Sequence, residues 1–176
     1  MRVEPAVRFQ RIRAFEIMSQ VGMTAGFEAQ SRNLTLRMQG SSDLEVFADP
    51  QLVVAALANI VQNGLKFTPS GGTVEVRARK DRDRILIEVQ DQCGGLPHGA
   101  IENIFKPFVQ QSIDRTGLGL GLTISRKAIE LNHGKLHVED RPGEGCIFTI
   151  DLPEATIDLD AGLIMREHSS VPMASM

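Results

Sequence analysis

The chain has 176 residues, 42% of them hydrophobic, which suits one globular domain with a proper core. A formal net charge of −3 gives no basis for nucleic-acid binding. No apolar run approaches a membrane span and Met1-Arg2-Val3-Glu4-Pro5 lacks the make-up of a signal peptide, so a cytoplasmic segment without membrane contact is expected.

Taken in chain order, residues 10–32 carry Ile12, Phe15, Met18 and Ala29 at loosely helical spacing and predict a helix. Gly22 and Gly26 weaken it by about 1 kcal/mol each relative to alanine. Residues 34–38 alternate as a strand, Gln39-Gly40-Ser41-Ser42-Asp43 is turn chemistry, and residues 44–47 predict a short second strand. Asp49-Pro50 then opens a helix, with Asp as cap and Pro in the first turn. Leu52, Val53, Ala56, Leu57, Ile60 and Val61 form its apolar stripe, and it stops near Phe67, before Thr68-Pro69-Ser70-Gly71-Gly72.

Residues 74–78 and 85–89 flank the charged turn Lys80-Asp81-Arg82-Asp83 and predict a hairpin. A glycine-containing loop follows Asp91, then a short helix over 100–105 and a polar stretch over 110–115. Gly117-Leu118-Gly119-Leu120-Gly121 leads into a helix over 122–131 that Asn132-His133-Gly134 stops. Strands over 135–139 and 146–152 are joined by Arg141-Pro142-Gly143-Glu144-Gly145, and past Pro153 the pattern decays. The order predicts a mixed sheet with helices stacked on one face, one domain over 5–153, and a flexible tail or linker over 154–176.

Three groups of residues suit nucleotide chemistry. Asn59, Asn63 and Lys66 lie at i, i+4 and i+7, along one edge of the helix opened by Asp49. An amide oxygen can ligate Mg²⁺ and an ammonium can neutralise phosphate. Asp91, at a strand end, can accept a hydrogen bond from an amino group such as that of adenine, and the glycines of Asp91-Gln92-Cys93-Gly94-Gly95 let backbone approach a flat base. The Gly117, Gly119, Gly121 repeat running into a helix makes an anion site from backbone amides. Phe105 and Phe108 of Phe105-Lys106-Pro107-Phe108 are expected to anchor a polar, lid-like segment over 109–118. Singly, each group has a bland reading: a solvated helix edge, an Asp/Gly turn, a flexible glycine stretch. Cys93 and Cys146 show neither metal-ligand spacing nor a disulfide framework, and read as two reduced thiols.

As an ordered set, these groups resemble sensor histidine kinases. Asn59-x-x-x-Asn63-x-x-Lys66-Phe67-Thr68-Pro69 resembles the asparagine box of that family, residues 91–95 its first glycine box, residues 105–108 its phenylalanine box and residues 117–122 its second glycine box. The resemblance implies an α/β (α+β) sandwich of the Bergerat ATP-binding type, with a mixed, mostly antiparallel sheet and helices on one face. It implies ATP and Mg²⁺ as cofactors. Asn63 would be the magnesium ligand with Asn59 supporting it, Lys66 and Arg115 would contact phosphates, and Asp91 with Gly95 would take the adenine amino group. Gly117, Leu118, Gly119, Leu120 and Gly121 would wrap the phosphates. The implied activity is protein-histidine kinase in two-component signalling, with its own or a partner's dimerisation and histidine phosphotransfer domain as acceptor and a response regulator downstream.

Asn59 stands where hydrolytic relatives carry a general-base glutamate, so transfer to a protein nucleophile is expected rather than hydrolysis. His98, His133, His137 and His168 include none that opens a helix followed by an acid, so the acceptor is expected outside this chain. Two departures matter. Cys93 replaces a glycine of the first glycine box, which costs about 1 kcal/mol or more if that backbone needs positive φ. Gly64, beside Asn63, is expected to loosen its helical turn. These two leave open a degenerate regulatory module; a serine kinase of the anti-sigma type is the other alternative.

Overall fold

The structure, a computed structural model, describes residues 7–106 and 120–156. In chain order it contains β1 (Gln10–Arg13), α1 (Ala14–Ser31), β2 (Thr35–Gly40), β3 (Glu45–Ala48), α2 (Pro50–Phe67), β4 (Thr73–Asp81), β5 (Arg84–Gln90), α3 (Gly121–Leu131), β6 (Lys135–Arg141) and β7 (Gly145–Pro153).

Five strands form one mixed sheet in the order β2-β4-β5-β7-β6, in which only the β2–β4 pair is parallel. The register sets Leu36 beside Val74, Met38 beside Val76, Ala78 beside Ile87, and Ile87 beside Ile150, which in turn faces Leu136. Because side chains alternate along a strand, this register gathers every second residue onto one apolar face. The three helices supply the rest of that core with Ile17, Met18, Val21, Leu57, Ile60, Leu65 and Ile129. The opposite face carries polar residues: Arg77 and Arg79 of β4 both reach the buried carboxylate of Glu88 on β5. The expected sandwich, with its helices on one face, is the observed one.

Local chemistry explains the helix that carries the candidate site. Asp49 Oδ1 accepts from the N–H groups of Gln51 at 3.0 Å and Leu52 at 3.3 Å, with Pro50 in the first turn. Asn132, fully buried at the end of α3, accepts from Asp49 N–H at 2.6 Å and donates to the carbonyl of Ala128 at 2.8 Å. The start of α2 is thereby tied to the end of α3.

Three expectations need correcting. Residues 10–13 are a strand, not the first turn of a helix, because β3 offers a partner: Ile12 pairs with Val46, and Arg11 makes an ion pair with Glu45. Gln39 and Gly40 continue β2 beside Arg77 and Ala78 rather than turning. Residues 100–105 form consecutive tight turns, with N–H bonds from Ala100 to Pro97, Asn103 to Ala100 and Lys106 to Asn103, all three residues back instead of four. The glycines of α1 do not break it: Gly22 lies against β2, where an added Cβ would stand 3.1 Å from Met38 Cε. After Pro153 the chain stays attached, since Glu154 N–H donates to Asp83 and Ala155 N–H to Glu45.

Candidate nucleotide site

Asn59, Asn63 and Lys66 are all half-buried along α2. Asn59 points at α3: its Nδ2 donates to Ser125 Oγ at 2.9 Å. The same amide fills the space beside Gly121, where a Cβ would fall 2.5 Å from Asn59 Oδ1. A side chain at 121 would have to push the Asn59 amide aside, so glycine there lets that amide lie against the N-terminus of α3. Leu120 caps that helix, and its carbonyl accepts from Ile124 N–H at 2.9 Å. The ammonium of Lys66 lies 5.4 Å from the Phe67 ring centre, at the C-terminal end of α2.

Further along α2, Gly64 lies against Asp91, its notional Cβ 3.4 Å from the Asp91 Cβ and 3.3 Å from Val74 Cγ1. A residue with no side chain lets the helix settle onto the strand ends here. The chain of α2 thus spans the interval from Gly121 to Asp91, and Asn63 sits on that stretch. Thr68, just past the helix, accepts from Gln92 N–H at 3.2 Å and fixes the start of the loop.

Asp91 is 6% exposed. Its Oδ1 accepts from the N–H groups of Cys93 at 3.0 Å and Cys146 at 2.9 Å, so the carboxylate is held in one orientation. Gly145 allows this approach, since a Cβ there would stand 2.1 Å from the Asp91 carbonyl oxygen. The loop is laced to the β6–β7 hairpin through Gly94 N–H to Glu144, Gly143 N–H to Gly94, and Leu96 N–H to Asp140 Oδ1 at 2.7 Å. A cavity of about 310 Å³ opens beside it, lined by Asp91, Gln92, Arg141, Glu144, Gly145 and Cys146 among others. A second hollow, between α1 and β2, is lined by Phe15, Met18 and Met38 and gathers none of the candidate nucleotide-site residues.

The left-handed positions of the loop are Gly94 at φ +86° and Gly95 at φ +95°, whereas Cys93 has no positive φ. Cysteine at 93 therefore carries no left-handed strain, and the cost feared for it does not arise. Burial, reinforced by the neighbouring Asp91, raises the Cys93 thiol, and burial with Cys93 and Asp91 beside it raises Cys146 far more. Neither is a ready thiolate at neutral pH.

Phe105 packs against the core and is tied to α3, its carbonyl accepting from Thr123 Oγ1 at 2.9 Å and its ring lying 5.5 Å from the Arg126 guanidinium carbon. Phe108, Arg115, Gly117, Leu118 and Gly119 lie outside the described residues. Sequence reasoning missed Ser125 and Gly145. Ser125 shares the inward face of α3 with Ala128 and Ile129, a polar residue in an apolar row, and that was its available signal. Gly145 stood out only as part of the glycine turn between the last two strands, since its reason is a backbone 54 positions away in the chain, at Asp91.

A glycine loop sealed against a hairpin, a buried carboxylate at a strand end and a polar helix edge facing a glycine-opened helix define an ATPase-type nucleotide fold. The family described as histidine kinase-, DNA gyrase B-, and HSP90-like ATPase matches residues 48–156, and the chain belongs to it. Among its relatives is the alginate biosynthesis sensor protein KinB of Pseudomonas aeruginosa, 32% identical over 127 residues, covering 72% of this chain and 21% of KinB. The chain thus spans about a fifth of that relative. The catalytic domain of the histidine kinase ThkA, in a nucleotide-free form, superposes with a TM-score of 0.76 at 27% identity, over 84% of this chain and 96% of that one. ThkA has also been solved with the response regulator protein TrrA. Full-length ShkA in complex with AMPPNP gives a TM-score of 0.77 at 26% identity, over 86% of this chain and 32% of ShkA. Among the described residues no helix is long and apolar enough to cross a membrane.

Proposed function

We propose that this domain binds Mg²⁺–ATP between α2, the loop after Asp91 and the N-terminus of α3, and passes the γ-phosphoryl group to a histidine of a dimerisation domain, with a response regulator downstream. The observation that carries this reading is the buried Asp91 carboxylate, fixed by two backbone amides beside residues that have no side chain. One oxygen is committed to those amides, and the other is assigned to the adenine amino group, with Gly95 giving the base room.

The donor set fits the cofactor. Asn63 offers an amide oxygen to Mg²⁺, one turn from Asn59 on the same edge, and Lys66 and Arg115 offer positive charge to the phosphates. Gly117, Leu118, Gly119, Leu120 and Gly121 lead into α3, whose first N–H groups attract anions. ATP supplies the phosphoryl group and the cation offsets its charge during transfer. Asn59 does not act as a base: it has no proton-accepting carboxylate, and its Nδ2 is committed to Ser125. That favours transfer over hydrolysis. The comparison with ShkA, which holds AMPPNP, and with ThkA, which engages TrrA, supports the nucleotide and the regulator. A degenerate module finds no support at Cys93, whose backbone is unstrained, or at Gly64, which closes α2 onto Asp91.

Titration of labelled ATP with Mg²⁺ against the wild type, Asn63→Ala and Asp91→Asn tests the site. Each variant should bind at least about tenfold more weakly while retaining its melting behaviour, a loss on the scale of one charge-assisted contact. Unchanged affinity in both would reject the proposal. Supplying a dimerisation domain should yield an acid-labile phosphoryl group; an acid-stable one would point to serine.

A further inference from the structure

Cys93 and Cys146 are 53 positions apart, yet their Sγ atoms are 3.5 Å from each other. Asp91 completes the group: one ligand atom from each of Asp91, Cys93 and Cys146 lies within 4.8 Å of the others. Asp91 and Cys146 are buried, whereas Cys93 is only half-buried and gives access from solvent. The nucleotide reading above uses neither sulfur.

We propose that Asp91, Cys93 and Cys146 form a binding site for a thiophilic divalent cation of the zinc class, and that its occupancy excludes adenine from the cleft. Two sulfurs on one tetrahedral ion, with metal–sulfur bonds of about 2.3 Å, stand about 3.8 Å apart. The observed pair needs to open by only a few tenths of an ångström. Sulfur donors select such an ion over Mg²⁺ or Ca²⁺, which prefer oxygen alone. Asp140 Oδ1, 3.9 Å from Cys146 Sγ, places a second carboxylate beside the group.

The surroundings are built as a support, not a loose meeting of side chains. Backbone N–H groups of Cys93 and Cys146 hold Asp91, and that of Leu96 holds Asp140. The two segments bearing the thiols are joined by the backbone bonds of Gly94 to Glu144 and Gly143 to Gly94. On binding, two S–H bonds give way to two metal–sulfur bonds and two protons leave to solvent. An ion held through Asp91 engages the carboxylate assigned to adenine, and this exclusion, unlike the metal site itself, rests on the function proposed above.

The test uses the full chain, kept reduced with a phosphine, and Cd²⁺ alone as probe. The thiolate-to-cadmium absorption band should rise to one equivalent and vanish in both Cys93→Ala and Cys146→Ala. A wild type without the band, or binding equally tight in both variants, overturns the metal site. Cys93 is half-buried, so its variant should fold even if the Cys146 variant does not, and circular dichroism checks both. With free Zn²⁺ at about tenfold its own Kd, wild-type ATP affinity should fall about tenfold beyond the change seen in Cys93→Ala, as exclusion at one site requires; that variant also corrects for zinc taken up by ATP itself. A full cadmium band with undiminished nucleotide binding overturns the exclusion. Failure of metal-free protein to bind ATP rejects the nucleotide reading, while the cadmium band still decides the site.

Discussion

Asn59 Nδ2 donates to Ser125 Oγ across 2.9 Å, and through this bond the helix that carries the amide residues sets the position of the helix that begins at Gly121. Ser125 is buried and contacts no proposed ligand, so it acts by holding Asn59. Ser125→Ala should lower stability by about 1 kcal/mol and weaken nucleotide binding about threefold or more. Calorimetric titration beside thermal unfolding separates the effects; a lower melting point with unaltered affinity would confine Ser125 to structure.

Two glycines make opposite demands, and alanine at each distinguishes them. At Gly145 an added methyl meets the Asp91 carbonyl oxygen at 2.1 Å, so Gly145→Ala should cost about 3 kcal/mol or more as the β7 end is forced off the loop. At Gly94 nothing lies within 4 Å, and only the φ of +86° opposes a side chain, so Gly94→Ala should cost about 1 kcal/mol. Denaturant midpoints read both, and equal losses would contradict the packing described.

Glu88 should govern part of the acid response. Burial alone would raise its pKa, but hydrogen bonds and charge from Arg79 and Arg77 outweigh that and leave it below the ordinary 4.5. The folded state therefore prefers the ionised form: its contribution is complete above about pH 4.5 and is lost as pH falls through the depressed folded value. Since both arginine side chains are about half exposed and their charge is screened by solvent, Glu88→Gln should cost only about 1 kcal/mol at neutral pH. Its stability should also fall less steeply with acid than the wild type's; parallel acid limbs would refute the pairing.

Asn132 joins two helices from a wholly buried position. Asn132→Ala strands the N–H of Asp49 and the Ala128 carbonyl, and should cost about 2–3 kcal/mol. Hydrogen exchange should quicken first at the start of α2, and protection unchanged there would show the bond to be dispensable.

Much of this architecture was legible in the chain because its signals are local. Asp49-Pro50 marks the start of α2, and the apolar stripe of that helix fixes which edge Asn59 and Asn63 share. The alternating residues of β4 and β5 give their hairpin, and the motif order points to the family. What escaped depends on distant partners. Residues 10–13 become a strand only because Glu45–Ala48 lies beside them. The turns over 100–105 are the local exception: their apolar spacing suits a helix, and the three-residue hydrogen bonds that replace it leave no mark in the pattern. Cys93 and Cys146 show no motif spacing because the loop and the β7 hairpin, not the chain between them, bring them together.

The two outer strands of the main sheet are unequally guarded. β6 lines its margin with Lys135, Glu139, Asp140 and Arg141, charges that repel an incoming backbone, whereas β2 offers Thr35, Leu36, Met38 and Gln39 with Arg37 as its single charge. Among the described residues β2 is terminal in the sheet. In concentrated or ageing preparations, intermolecular strand addition should begin there, and a lysine at Gln39 is the economical way to suppress it.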